Sequence, residues 1–145
     1  MTLRTALVLR GSRVFGGLMI GGAGLNTALL AAAPESYAAL GAWLDGPAAL
    51  RRLWAGTMSA HPYVWVPLVG IGFEFGIGIL ALARRPRRRL VGLLGIALFH
   101  VGLLVMGLWW WALPVLALLM PLLVGTWRDI DLHRSPSDAV TGAVG

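Results

Sequence analysis

The chain has 145 residues, 58% of them apolar and only 12% charged, with a mean hydropathy of +0.79, which excludes an ordinary soluble domain. Its net charge of +6 comes wholly from arginine, and the arginines gather at the ends of apolar runs, as membrane topology and headgroup anchors do rather than a nucleic-acid surface. Cysteine is absent, which excludes disulfides, thiolate metal sites and CxxC redox chemistry.

Residues 1–13 carry Arg4, Arg10 and Arg13 and no acid, so the N-terminus is expected in the cytoplasm. The first apolar run is too long and glycine-rich for a cleavable signal peptide, and it predicts a permanent span over about residues 13–33. Gly17 and Gly21 stand at GxxxG spacing, and Ser12 and Gly16 form a looser small-residue pair; either face would let a neighbouring helix come close.

Pro34 opens an outer loop in which Glu35 and Asp45 balance Arg51 and Arg52. Within it, Asp45-Gly-Pro47 is a helix-start signal, and Tyr37, Trp43 and Trp54 suit a headgroup-level position. The loop therefore predicts a short interfacial helix over about residues 48–58.

The second span covers about residues 63–83, with one carboxylate, Glu74, in its middle and a further GxxxG pair, Gly72 and Gly76. Arg84, Arg85, Arg87, Arg88 and Arg89 then surround Pro86 in a tight basic turn, the strongest topological signal in the chain. The apolar run over residues 90–127 is too long for one helix, and Trp109, Trp110 and Trp111 with Pro114 divide it into spans of about residues 90–108 and 112–127. The three tryptophans read as an interfacial belt. The expected fold is all-α: a polytopic four-transmembrane-helix bundle with both termini cytoplasmic. It forms a single domain over residues 1–127, and residues 128–145 are expected to be a polar, disordered tail.

Helix rise places three polar side chains at one depth. Glu74 lies roughly 16 Å below the outer end of its span and His100 roughly 15 Å above the inner end of the next. Asn26 falls roughly 4 Å outward of the centre of the first span. An ionisable residue at this depth is a functional-site hypothesis. Glu74 and His100 are thus the candidates for proton chemistry, and Asn26, Glu74 and His100 together for ligand binding; the same three could equally be polar glue between helices.

No cofactor is evident from the residues, although a quinone carbonyl would suit a Glu–His pair. A bis-His haem is disfavoured, since His61 at an outer helix end and His133 in the tail cannot face His100 across a macrocycle. No metal site is expected, because Glu74 and His100 alone fall short of a ligand set.

The arginine-led, glycine-rich first span, the aromatic-bearing outer loop, the Trp-Pro division and the run GFEFGIGILAL from Gly72 to Leu82 together resemble the DoxX-like family of small four-helix bacterial membrane proteins, over about residues 7–127. The resemblance implies a multi-pass protein of the bacterial cytoplasmic membrane, acting as an accessory, anchor or quinone-facing subunit of a redox complex. Its implied partners are other membrane or redox subunits besides the lipid bilayer. Glu74 corresponds to the acidic residue of the family's second span; His100 is less securely part of any family pattern. The residues themselves leave two further functions open, a small transporter or lipid-ligand binder with a midplane polar site, and a purely structural subunit of a larger or homo-oligomeric assembly. No independent catalytic motif is present, so a redox role would need a partner.

Overall fold

The computed structural model describes residues 3–132, and no strand occurs among them. Helix α1 (Leu3–Ala32) is followed by two short outer helices, α2 (Ser36–Gly41) and α3 (Ala48–Trp54), the latter running on into a π turn, Ala55–Ser59. The second long helix is composite. It begins as α4 (Pro62–Trp65), widens into a π segment, Val66–Phe73, and tightens again as α5 (Glu74–Ala81). Helices α6 (Pro86–Val105) and α7 (Trp109–Leu132) complete the chain.

Four helical stretches are long and apolar enough to cross a bilayer: Leu3–Ala32, Pro62–Ala81, Pro86–Val105 and Trp109–Asp131. A backbone with no water to bond must satisfy itself within the helix, which is why so glycine-rich a sequence is still helical here. The chain is a multi-pass membrane protein. Its spans pack in sequence order around a ring, α1 on α5, α5 on α6, α6 on α7, and α7 back on α1. Met19, Ile77, Ala81, Leu93, Ile96 and Leu119 form the shared core. Large apolar side chains such as Leu18, Ile79, Leu98 and Leu118 face outward, as a lipid-facing surface requires. Trp43, Tyr63, Trp109, Trp110 and Trp111 are exposed at the end of the bundle opposite the arginine turn, an aromatic belt at the outer interface.

The helices overrun the hydrocarbon limits read from the sequence. Thirty residues of α1 measure about 45 Å against a core of about 30 Å. Its first turns therefore project beyond the core, where Arg4 lies 3.3 Å from Asp129 of α7. Helix α7 likewise continues past Trp127, so residues 128–132, expected as tail, are helical. The rest of the expected tail, with His133, lies outside the described residues.

Small residues set the closest helix contacts, but in a different register from the GxxxG pairs. A Cβ on Gly16 would stand 2.8 Å from the Gly78 carbonyl, and one on Gly78 would stand 2.9 Å from the Gly16 carbonyl. Gly17, Gly21 and Gly76, expected to pack helices, have open space beside them, and Gly72 meets only Pro67 of its own helix. The buried face of α1 is Val8, Ser12, Gly16, Met19 and Ala23, which is the Ser12/Gly16 register. Gly17 and Gly21 are one residue further on, about 100° around the helix, and point away from the bundle.

Arg89 also departs from its expected role as a headgroup anchor. It is 3% exposed and forms an ion pair with Asp129 at 3.3 Å, while Arg10, Arg13, Arg84, Arg85, Arg87 and Arg88 are exposed. Helix rotation explains the difference, since Arg89 heads the buried stripe Arg89, Gly92, Leu93, Ile96 and His100 of α6.

The outer segment caps the bundle. Asp45 and Gly46 lie against the α6–α7 turn, where Gly107 has φ +96° and a Cβ would stand 2.8 Å from their backbone. Only glycine suits that turn, both for its left-handed conformation and for the approach. Pro47, not Asp45, occupies the N-cap of α3, so the helix-start signal acts through the fixed φ of proline.

Candidate functional site

Asn26, Glu74 and His100 all line one cavity of about 850 Å³ between α1 and α7. Apart from these three its walls are almost wholly apolar: Phe15, Met19 and Gly22 from α1, and Val115, Leu118 and Leu122 from α7. Several lining residues, among them Val14, Leu18, Leu118 and Trp111, are also exposed on the outside of the bundle. The cavity therefore opens sideways, between the first and last spans, toward the lipid.

Glu74 is brought to this cavity by an irregular helix. It is the first residue after the π segment, whose widened register accommodates Pro67, a residue with no N–H to give to an α-helical ladder. The residue is 6% exposed. Oε1 accepts a hydrogen bond from Asn26 Nδ2 at 3.3 Å, and the same amide donates to the Gly70 carbonyl at 3.0 Å. Oε2 lies beside Gly22, where a Cβ would come within 2.6 Å of it. The glycine is the space into which the carboxyl fits.

A fourth residue completes this arrangement and was read from the sequence only as a headgroup-level aromatic. Tyr37 of α2 is 2% exposed, and its hydroxyl donates to Asn26 Oδ1 at 3.0 Å and to the Asn26 carbonyl at 3.1 Å. The Tyr37 carbonyl in turn accepts from Trp54 Nε1 at 2.8 Å and Ser59 Oγ at 3.3 Å. The outer cap is thus latched directly to the polar layer. Burial first, and then the Glu74 charge, push the Tyr37 phenol above its ordinary pKa, so it remains a donor. The available signal was chain proximity: Tyr37 follows Asn26 by eleven residues, with the turn at Pro34 between them.

His100 shares the cavity but bonds neither Glu74 nor Asn26. Its Nδ1 lies 2.8 Å from the Ile96 carbonyl, and its ring meets Phe99 edge-on at 5.4 Å. The layer inferred from depth is therefore one bonded pair, Asn26–Glu74, with an imidazole facing the same space. Among the described residues, no group of three His, Cys, Asp or Glu side chains could hold a metal ion.

No protein-family model matches the chain, and no curated protein or solved structure shows significant similarity to it.

Proposed function

We propose that the protein is a DoxX-like membrane protein of the bacterial cytoplasmic membrane that binds a quinone-type lipophilic molecule, and that it serves as a quinone-facing accessory subunit of a membrane redox assembly. The observation that carries this reading is the cavity. A space of about 850 Å³ with apolar walls and a few polar groups suits an amphiphile with a small polar head and an apolar body. A side opening to lipid suits a ligand that already resides in the bilayer. The redox assignment rests on the sequence resemblance.

The test is gentle purification of the full chain from its native membrane, followed by solvent extraction and mass spectrometry of bound quinone and identification of co-purifying chains. Quinone and hydroquinone together near one per chain in the wild type, and a lower total in Glu74→Gln and His100→Leu, is the expected result. Quinone no higher than in a control membrane protein in the same detergent would refute the reading. Another lipophile in its place would instead favour a small transporter or lipid-ligand binder, which the side opening also suits.

A further inference from the structure

The hydrogen-bond inventory of the cavity says more about its ligand than that it is amphiphilic. Both N–H groups of Asn26 are engaged, by Gly70 O and Glu74 Oε1, and its Oδ1 is engaged by Tyr37. The Gly70 carbonyl fixes which way the amide faces, because it can only accept and so takes the NH2 group, which leaves Oδ1 toward Tyr37. Asn26 thus has no donor left for a ligand.

His100 is oriented in the same way. The Ile96 carbonyl can only accept, so the ring proton is on Nδ1. In the neutral ring Nε2 is then a bare acceptor, and it has no partner among the described residues. Nor is it one of the sealed, unpaired side-chain polar atoms among the described residues, which are Ser36 Oγ, Arg89 Nε and Thr126 Oγ1. Glu74 Oε2 is open in the same sense. Trp111 carries the remaining polar atom of the lining, and by helix rise it lies about 5 Å nearer the outer surface.

Two atoms therefore await the ligand, Glu74 Oε2 and His100 Nε2. We infer that the head-group site selects a hydroxyl, as in a lipophilic phenol or hydroquinone, over a carbonyl; this rests on the proposed function and specifies the redox form that the site takes. With Glu74 ionised, both atoms are acceptors and need donors. With Glu74 protonated, a ligand hydroxyl accepts from Oε2–H and donates to Nε2. A quinone carbonyl, which only accepts, leaves Nε2 without a partner in either case, and an unmade hydrogen bond in an apolar site weakens binding by about tenfold or more.

The test uses the purified full chain in lipid nanodiscs under anaerobic conditions. Three probes of one shape are titrated calorimetrically: a decyl-substituted benzohydroquinone, the matching quinone, and the hydroquinone dimethyl ether. The hydroquinone should bind at least about tenfold more tightly than either of the others. In His100→Leu that preference should collapse, through loss of hydroquinone affinity with the quinone little changed. Quinone binding as tight as hydroquinone, or an ether as tight as its parent, would overturn the inference while leaving quinone binding intact. Failure of all three probes to bind would overturn both readings.

Discussion

Arg89 Nη2 lies 3.3 Å from Asp129 Oδ2, both side chains buried, and the pair joins the start of the third span to the end of the fourth. Arg4, less buried, reaches the other carboxylate oxygen at 3.3 Å, so three of the four spans meet at one aspartate. Removing Asp129 leaves a buried guanidinium uncompensated. Asp129→Ala is expected to cost about 3–5 kcal/mol of stability, and Arg4→Ala no more than about 1. Thermal unfolding of the detergent-solubilised variants checks this ranking. If Arg89→Leu/Asp129→Leu is as unstable as the aspartate variant, uncompensated charge is not the cause.

Glycine substitutions on α1 should separate one face from the other. Gly22→Ala drives a methyl into Glu74 Oε2, whereas Gly21→Ala meets open space one residue away. The first should weaken ligand binding by about tenfold with the fold intact, since displacing one charge-assisted contact is worth about 1.4 kcal/mol or more. The second should leave binding unchanged and slightly favour the helix. Equal binding in the two variants would refute the placement of Glu74.

Tyr37→Phe deletes the donor that holds the outer cap to Asn26. Hydrogen bonds within membrane proteins contribute about 0.6 kcal/mol on average and up to about 1.7. The variant should lose about that much and exchange amide protons faster over residues 36–59. Because the folded-state pKa of Tyr37 is raised, the protonated phenol favours the native state, so stability holds below about pH 10 and falls as pH rises through the folded value. That alkaline loss should be smaller in Tyr37→Phe.

Gly107→Ala should unseat the same cap from its other side. A left-handed φ costs a non-glycine residue about 1–2 kcal/mol, and the added methyl would also press on the backbone of Asp45 and Gly46. Faster proteolysis within residues 42–47 than in the wild type is the expected readout; an unchanged cleavage rate would show that the turn does not hold the cap.

Orientation is directly testable because the chain has no cysteine of its own. Gly56→Cys, on the outer segment, should react with an impermeant maleimide added to intact cells. Arg87→Cys should react only after the cells are opened. The opposite pattern would invert the assigned topology.

The four spans were legible in the sequence because hydropathy acts over whole helices and needs no knowledge of helix rotation. Depth was legible for the same reason: Asn26 and Glu74 were placed in one layer by helix rise alone, and they are hydrogen-bonded. Rotation was not. In a bilayer the outside of a helix is as apolar as its inside, so periodicity could not choose between Gly17/Gly21 and Ser12/Gly16. Asp129 was hidden by its position after Trp127, although Leu119, Thr126 and Asp129 continue one helical face beyond the apolar run. The π segment leaves no periodic mark in so uniformly apolar a stretch, and Pro67 was its only local sign.

The ring of spans closes between α1 and α7, the first and fourth of the described spans, and the cavity lies on that seam. During synthesis the first three spans can assemble without it, with the inner wall holding Glu74 and His100 already in place. Helix α7, made after the other three spans, supplies the facing wall, and Asp129 near its end fastens it to Arg4 and Arg89. A chain truncated before Trp109 would thus present a carboxyl and an imidazole to bare lipid. The cavity wall and the clasp at Asp129 are thus completed by the same helix.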